Sequence, residues 1–365
     1  KFIWGFLIMK KKIAILGSTG SIGKNLLEII KKDKKNYEIV LLSANQNYIE
    51  LLKQAKKFNV KNLIIQNYKS YQILKKKIDN RKIKVYNNNN SFNKIFKTKI
   101  DYVMSSISGI DGLEPTIKII KFTKKIAIAN KESIICAWNL INKELLKNKT
   151  KFVPVDSEHF SLWYGLNNTP ISSIEKIYLT ASGGPLLNIP KVNLKKVKIS
   201  QALKHPTWTM GKKISIDSCT MMNKVFEVIE AKHLFKIPYN KITILTHPKS
   251  YIHAIIKFKN GLIKIIAHDT TMKIPIFNTI YSSNNRIIKT DKLSLKKLNH
   301  LDLSHVSYKF FPLLKILKSL PNHISLYETV IITINDHLVD LFLKNKINYN
   351  QIQKLLLQFI KNKVF

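Results

Sequence analysis

A glycine-rich turn directly after the first apolar run is the feature that most constrains the fold of this chain. The segment 17–23, GSTGSIG, follows the strand-like run 13–16 and opens an amphipathic stretch. Apolar runs and amphipathic stretches then alternate to about residue 150, which predicts a parallel sheet with helices on both faces. The other runs that predict strands in this part are 39–42, 63–65, 83–86, 102–105 and 126–129.

The glycine-rich turn also carries a functional prediction. Glycines let a backbone turn sharply and approach a pyrophosphate, and the start of the next helix offers N–H groups to it. The turn predicts a Rossmann-like dinucleotide site, with a plain strand–helix turn as the alternative. Asn45, Gln46 and Asn47 follow the second strand, where an NAD site usually has an acidic residue for the ribose 2′-hydroxyl. Neutral amides do not repel a 2′-phosphate, so the sequence favours NADP.

The pattern changes along the 365 residues and predicts three domains after a short extension. We treat residues 1–8 as an N-terminal extension and residues 9–150 as the Rossmann-like domain. Residues 151–285 predict an α+β catalytic domain, with a helix over 220–235, and residues 286–365 predict a helical C-terminal domain. The fold class is therefore α/β, with a doubly wound parallel sheet followed by α+β and helical parts. The predicted strands of the central domain are 174–180, 242–245, 252–258 and 262–267.

Composition excludes several classes of protein. No apolar run approaches the ~18–20 residues that a membrane helix needs. Cys136 and Cys219 have no Cys or His at metal spacing, which argues against a disulfide framework and fits a reducing compartment. The formal net charge of +40 first suggests a nucleic-acid binder. Arginine occurs only at Arg81 and Arg286 and the lysines are scattered, so we interpret the charge as compositional bias and expect no specific nucleic-acid partner.

A pair of carboxylates begins a second candidate site. Asp156 and Glu158 follow Pro154, and in an extended segment the two side chains would point to the same side. Carboxylates this close repel one another unless they share a cation, and oxygen ligands suit Mg²⁺ or Mn²⁺. The alternative is a solvated acidic turn.

The predicted helix over 220–235 brings an amide, a cation and a carboxylate together. Asn223 and Glu227 are four residues apart on one helix face, and Lys224 lies beside them. Ser218 is the predicted N-cap of this helix. The alternative is a capped surface helix with an ordinary Lys–Glu pair.

Three further segments give weaker indications. Residues 129–132 end a strand and open a helix, where ligands of α/β sheets bind. The turn 182–185, SGGP, offers N–H groups and a hydroxyl to a phosphate, or is only a turn. His247 and His253 lie on predicted strands and are interpreted as structural.

Taken together, these motifs resemble the 1-deoxy-D-xylulose 5-phosphate reductoisomerase family of the non-mevalonate isoprenoid pathway. The matching stretches occur in family order across most of the chain. They are GSTGSIG at 17–23, IANKES at 128–133, PVDSEH at 154–159, TASGGP at 180–185, HPTWTMGKKISIDSCTMMNK at 205–224, EVIEAKHLF at 227–235 and HPKSYIHA at 247–254.

The resemblance implies conversion of a sugar phosphate, 1-deoxy-D-xylulose 5-phosphate, with NADPH and Mg²⁺ or Mn²⁺ as cofactors. It also implies a homodimer. The sequence itself, which has no apolar run of membrane length and no long Ser- and Arg-rich transit segment, predicts no membrane partner and a bacterial-type cytoplasmic location. The implied metal ligands, also catalytic, are Asp156, Glu158 and Glu227. The implied NADPH residues are Thr19, Gly20, Ser21, Ile22, Asn45, Gln46, Asn47, Asn130, Glu132 and Gly211. The implied substrate residues are Lys131, Ser157, Ser182, His205, Trp208, Ser218, Asn223 and Lys224, of which Lys131 and His205 are also counted as catalytic.

The chain departs from the family pattern in places. The family usually has Gly-Lys-Asn at 45–47, and the missing lysine weakens the expected grip on the 2′-phosphate. Residues 270–273, TTMK, stand where the family has Pro-Asp-Met-Arg. Two other functions stay open at this point. One is a different NAD(P)-dependent dehydrogenase, and the other is a basic nucleic-acid-binding protein with a Rossmann-like domain.

Overall fold

The computed structural model of the chain describes residues 9–79, 81–187, 189–281, 286–323 and 325–361. The predicted N-terminal extension, residues 1–8, lies outside the described residues. Contacts divide the chain into two compact units. Unit 1 comprises the described parts of Lys1–Ser133, Ala137–Val155 and Met272–Ile287, and unit 2 those of Ile134–Cys136, Asp156–Thr271 and Ile288–Phe365.

The described residues form twelve strands and fourteen α-helices. The strands are β1 (Lys11–Leu16), β2 (Tyr37–Ala44), β3 (Asn62–Ile65), β4 (Lys84–Tyr86), β5 (Ile100–Ser105), β6 (Thr123–Ile128), β7 (Lys151–Pro154), β8 (Ile174–Ala181), β9 (Ile242–Thr246), β10 (Ile252–Phe258), β11 (Ile263–Ala267) and β12 (Ser304–His305). The helices are α1 (Ser21–Lys31), α2 (Tyr48–Phe58), α3 (Tyr68–Lys77), α4 (Phe92–Ile95), α5 (Leu113–Ile120), α6 (Lys131–Lys147), α7 (Ser157–Gly165), α8 (Ile199–Leu203), α9 (Lys212–Thr220), α10 (Met222–Phe235), α11 (Lys273–Tyr281), α12 (Leu295–Asn299), α13 (Tyr327–Leu343) and α14 (Tyr349–Phe359).

Unit 1 contains a seven-stranded parallel sheet in the order β4-β3-β2-β1-β5-β6-β7. The chain winds outward from β1 in both directions, which makes the carboxyl ends of β1 and β5 the switch point where α/β sheets bind ligands. Strands β1 to β6 confirm the six predicted strands and the doubly wound fold. Strand β7 was not predicted, because its run is short and ends in a proline.

Unit 2 contains a five-stranded sheet in the order β11-β10-β8-β9-β12. Strands β8 and β9 are parallel and the other neighbours are antiparallel. A large apolar cluster joins this sheet to α10, α13 and α14, so the helical C-terminal region belongs to the same contact unit as the central segment. Residues 272–287 contribute α11 to unit 1. The predicted three-domain boundaries stay a prediction.

Helices α9 and α10 meet at a sharp break. Met221 has a left-handed backbone, with φ of 62°, and it ends α9 and precedes α10. Ser218 lies inside the last turn of α9, so its prediction as the N-cap of the following helix is wrong. The sequence pattern missed the break because both helices carry buried residues up to it. Among the described residues, no helix is both long and apolar enough to cross a membrane.

Candidate active site

The glycine-rich turn of unit 1 has the geometry of an anion site. Gly17 has φ of +80°, and a Cβ there would lie 2.6 Å from the backbone oxygen of Ser106. Gly20 precedes α1, and no described side chain caps that helix, so its first N–H groups can bind an anion. The hydroxyl of Ser18 is buried and has no hydrogen-bond partner among the described residues. These features fit the pyrophosphate of a dinucleotide.

The predicted NADPH residues near this turn lie at one edge of the sheet. Thr19 lies in the turn and Ser21 and Ile22 in the first turn of α1. Ser18 N–H donates to the Ser43 carbonyl at 2.8 Å, which ties the turn to the end of β2. Residues 45–47 follow β2 and are exposed, and Asn47 Oδ1 caps α2. The structure thus brings the turn and the three amides to adjacent strand ends.

The Asn130 side chain forms hydrogen bonds with the backbone around it. Its Oδ1 accepts from Ser133 N–H at 2.7 Å, and its Nδ2 donates to the Gly109 carbonyl at 2.6 Å. Lys131 and Glu132 follow in the first turn of α6, and both are buried. The three residues lie at the carboxyl end of β6, as predicted from the sequence, and their contacts with ligands stay a prediction.

The three predicted metal ligands converge in unit 2. Single carboxylate oxygens of Asp156, Glu158 and Glu227 all lie within 4.8 Å of one another. The predicted extended backbone is wrong, because β7 ends at Pro154 and the chain turns into α7. Asp156 caps that helix, accepting from Glu158 N–H at 3.3 Å, and Ser157 donates its hydroxyl to Glu158. A helix cap therefore brings the two carboxylates together.

Lys224 places a positive charge among these carboxylates. Its Nζ donates to Glu158 Oε1 at 2.6 Å and to Glu227, while Asn223 donates to the other oxygen of Glu227. Burial lowers the pKa of Lys224, but Glu158 and Glu227 outweigh it and raise the pKa. Lys224 and Glu227 are 5% and 1% exposed, so the alternative of a surface Lys–Glu pair is wrong. Oxygen donors that already hold an ammonium group fit a hard divalent cation.

A second buried group supports the carboxylates, and the sequence analysis missed it. His159 Nδ1 lies 3.1 Å from Asp156 Oδ1 and 3.2 Å from Glu230 Oε2, and its Nε2 donates to the Glu227 carbonyl at 2.9 Å. Burial lowers the pKa of His159, but the charges of Glu230, Asp156 and Glu227 outweigh it and raise the pKa to about 9. The charged ring fixes the orientation of Asp156. Helical spacing of Asp156 to His159 and of Glu227 to Glu230 was the available signal.

Ser182 and His205 are in direct contact. His205 Nε2 donates to Ser182 Oγ at 2.9 Å, and its Nδ1 accepts from the N–H groups of Thr207 and Trp208 at 3.2 and 3.0 Å. Burial and then the charge of Lys224 lower the pKa of His205 to about 4. Hydrogen bonds of the neutral His205 ring therefore connect the loop that carries Trp208 to the turn after β8.

The turn after β8 also lies against the end of α9. Gly184 has φ of +72°, and a Cβ there would lie 3.0 Å from the Ser218 carbonyl oxygen. Ser182 and Ser218, two of the predicted substrate residues, are thus on adjacent segments. Asn223 and Lys224, which are also predicted substrate residues, donate instead to the carboxylates. Gly211 precedes α9 in unit 2, while the other predicted NADPH residues belong to unit 1.

The Trp208 side chain packs on a pair of stacked histidines. Its ring meets the His253 ring edge-on at 6.0 Å, and the His253 ring stacks on that of His268 at 3.7 Å. His253 Nε2 donates to the His268 carbonyl at 3.2 Å, as expected for a structural histidine. His247 differs, since its Nε2 is buried without a hydrogen-bond partner among the described residues.

The sheet order and the glycine-rich turn define a Rossmann-like protein, to which unit 2 adds a group of three converging carboxylates. Matches to family models then identify the protein family. The 1-deoxy-D-xylulose 5-phosphate reductoisomerase model matches residues 13–138, and its C-terminal domain model matches residues 152–235. A further DXP reductoisomerase C-terminal domain model matches residues 269–364. The chain belongs to the 1-deoxy-D-xylulose 5-phosphate reductoisomerase family.

Individual relatives agree with this assignment. The reductoisomerase of Pelagibacter ubique (strain HTCC1062) is 57% identical over 97% of this chain and 92% of its own length. The reductoisomerase of Wolbachia pipientis subsp. Culex pipiens is 39% identical over 96% of this chain and 90% of its own length.

Solved structures of the family have the same fold. The Zymomonas mobilis enzyme in complex with NADPH superposes with a TM-score of 0.88 at 31% identity, covering 96% of this chain and 92% of that one. A DOX-P reductoisomerase in complex with NADPH, fosmidomycin and magnesium has a TM-score of 0.86 at 28% identity, covering 97% and 90%.

Proposed function

We propose that the chain converts 1-deoxy-D-xylulose 5-phosphate to 2-C-methyl-D-erythritol 4-phosphate, with NADPH and a divalent metal. The single observation that carries the proposal is the convergence of Asp156, Glu158 and Glu227 in a chain of this family. Solved relatives were obtained with NADPH and with magnesium, which supports the same cofactors here. Neither a different dehydrogenase nor a nucleic-acid-binding protein gains support from the site.

The proposed metal site uses the three carboxylates in unit 2. A bound Mg²⁺ or Mn²⁺ supplies Lewis-acid polarisation of the substrate carbonyl. Asp156, Glu158 and Glu227 would hold it, and His159 with Glu230 keeps Asp156 in place. Glu227 is buried and Asp156 and Glu158 are partly buried, so water screens their charges less than it would at the surface.

The proposed substrate site surrounds the carboxylates. Ser182 and Ser218 lie on adjacent segments and would hold the phosphate, together with Asn223 and Lys224. Ser157 would contact the oxygenated carbons, and the family resemblance implies the same role for Lys131. The loop of His205 and Trp208 would cover the substrate and exclude water, which protects reactive intermediates from side reactions. Binding energy from the distant phosphate would help to position the reacting end.

One assay tests the proposed function directly. NADPH oxidation is followed with 1-deoxy-D-xylulose 5-phosphate, with Mg²⁺, with Mn²⁺, and after removal of metal with a chelator. We expect substrate-dependent oxidation that the chelator abolishes and added metal restores, with 2-C-methyl-D-erythritol 4-phosphate as the product. Turnover that is unaffected by chelation would contradict the metal assignment, and absence of turnover with either metal would contradict the function.

We also propose that the protein is a homodimer. Strand β11 is an edge of the unit 2 sheet, and Leu262, Ile263 and Ile265 on and beside it are 65%, 57% and 50% exposed. Exposed apolar edge strands pair with other chains unless they are covered. The test is sedimentation velocity of the Ile263→Lys/Ile265→Lys variant, which should sediment as a monomer. Leu146→Lys, which changes an exposed leucine of unit 1, should keep the dimer.

A bacterial-type cytoplasmic location completes the proposal. The chain contains only two cysteines, Cys136 and Cys219, and such low cysteine use fits a reducing compartment. Cell fractionation with an antibody to the chain tests the location, and recovery with the membrane or periplasmic fraction would contradict it.

A further inference from the structure

A histidine outside the predicted site carries an unused hydrogen-bonding atom. His268 follows β11 and is 9% exposed. Its Nδ1 lies 2.8 Å from the carbonyl oxygen of Asp269, which can only accept, so the ring proton of the neutral form is on Nδ1. Its Nε2 therefore has a free lone pair. That atom is buried and finds no hydrogen-bond partner among the described residues.

Two ring contacts connect His268 to Trp208, a residue of the proposed substrate site. The His268 ring stacks on the His253 ring at 3.7 Å with 18° between the planes, and the Trp208 ring contacts His253. Burial lowers the pKa of His268 despite the opposing effects of its bond to the Asp269 backbone and the charge of Glu158. Burial likewise holds the pKa of His253 well below its usual value. Both rings are thus neutral, and the lone pair of His268 stays available.

A buried acceptor without a donor lowers stability, and a ligand that brings a donor recovers that loss. The groups of the proposed substrate differ in what they can donate. A phosphate dianion and a ketone only accept, while the hydroxyls on C3 and C4 can donate. The C3 hydroxyl neighbours the carbonyl and would share the metal with it, which leaves the C4 hydroxyl.

We propose that His268 is a substrate-binding residue whose Nε2 accepts a hydrogen bond from the C4 hydroxyl of the sugar phosphate. This inference rests on the proposed function, because it takes that substrate as the ligand. The stack with His253 holds the ring in place, and the bond to Asp269 fixes its tautomer. His268 thereby selects substrates that carry a hydroxyl at this carbon.

Another histidine of unit 2 provides a matched control. His247 is also buried, its Nδ1 contacts the Leu301 carbonyl, and its Nε2 has no hydrogen-bond partner within the described ranges. The charges that act on it are those of Asp302 and Lys249, and none of the three carboxylates is among them. A role in binding the C4 hydroxyl is therefore expected of His268 and not of His247.

The experiment compares two ligands. Isothermal titration in Mg²⁺ without NADPH measures the affinity of 1-deoxy-D-xylulose 5-phosphate and of its 4-deoxy analogue, which keeps the phosphate, the carbonyl and the C3 hydroxyl. The wild type should prefer the substrate by about five- to tenfold, as one hydrogen bond in a buried site provides. His268→Phe and His268→Asn should bind the two ligands equally, the first because it keeps the ring without an acceptor and the second because it is too short.

Two variants and one kinetic measurement complete the test. His268→Gln reaches the Nε2 position with an acceptor and should regain part of the preference, and His247→Phe should keep all of it. KM for the substrate should rise in His268→Phe while KM for NADPH stays constant. The inference would be overturned if His268→Phe preferred the substrate over the 4-deoxy analogue as strongly as the wild type does. If His268→Phe does not fold, the same result with His268→Asn would overturn it. A wild type that turns over no substrate would instead overturn the proposed function.

Discussion

The two units build their candidate sites from different parts of the chain. The anion site of unit 1 is made of backbone, with a glycine at φ of +80° and a helix start that no side chain in the described part of the chain caps. The site of unit 2 is made of charged side chains, with Asp156, Glu158 and Glu227 close together and one buried lysine paired with the two glutamates. A backbone site depends on conformation, whereas a side-chain site depends on the balance of charges.

Histidine content follows the same division. All ten histidines of the chain belong to unit 2. Unit 1 has none, so its site has no group that changes charge between pH 5 and 8 through imidazole. The comparison therefore predicts that substitutions and pH affect the two units in separate ways.

The largest expected effect is loss of the metal through Glu227→Gln. The amide has nearly the same shape but no charge, and Lys224 keeps its bond to Glu158 at 2.6 Å, so the fold should remain. Turnover should fall by orders of magnitude, and titration of Mn²⁺ followed by electron paramagnetic resonance should show lost binding. Glu328→Gln changes another buried glutamate, 2% exposed, outside the carboxylate group, and should bind Mn²⁺ normally. Normal turnover in Glu227→Gln would disprove the side-chain site.

The corresponding change in unit 1 is Gly17→Ala. The added Cβ would lie 2.6 Å from a backbone oxygen at a φ that disfavours alanine, so the turn must shift. We expect KM for NADPH to rise about tenfold or more and the free energy of unfolding to fall by about 1–3 kcal/mol. Mn²⁺ affinity should not change. Gly261→Ala is the control for backbone strain alone, because Gly261 has a similar φ of +87° and an added Cβ would meet no described atom within 4 Å. This variant should leave KM for NADPH unchanged.

A smaller effect is expected for Lys224→Met, which should change both the affinity for Mn²⁺ and the KM for the sugar phosphate. The ammonium group and a metal ion bind the same oxygens of Glu158 and Glu227, so removing it should raise Mn²⁺ affinity several-fold. KM for the sugar phosphate should rise, because the proposed phosphate contact is lost. Lys213→Met removes a lysine that also pairs with two carboxylates, at 3.1 and 3.0 Å, outside the carboxylate group, and should change neither value. Unchanged Mn²⁺ affinity in Lys224→Met would show that the lysine does not compete with the metal.

The smallest expected effect is a difference in acid stability. Histidines whose pKa is lowered by full or partial burial in the folded state take up protons on unfolding. Their contribution to the free energy of unfolding is therefore lost as pH falls below about 6.5 and toward 4. His159, with its pKa raised to about 9, opposes this, since its contribution is present below 6.5 and is lost as pH rises through 9. The histidines whose pKa is lowered are His205, His233, His247, His253 and His268.

Hydrogen exchange at pH 7.5 and pH 5, corrected for intrinsic rates, measures this difference. Amides of β8 and β10 should lose protection at pH 5, while those of β1 and β5 should keep it. Equal loss in both sheets would show that the histidines do not control acid stability.

The sequence alone determined those features that depend on neighbours along the chain. Alternation of apolar runs gave six of the seven strands in unit 1, and GSTGSIG located the sharp turn, because glycine at positive φ is a local requirement. The motif blocks gave the family, and the helical spacing of Asn223 and Glu227 gave their contact.

Only the tertiary structure decided how distant side chains meet. Lys224 and Glu158 are 66 residues apart, and the helix cap that joins Asp156 to Glu158 replaced the predicted extended backbone. The roles of His159, Glu230 and His268 depend on burial and on partners from other elements, which spacing does not encode. Charge balance in a buried site is a property of the folded molecule, because the same residues at the surface would be screened by water.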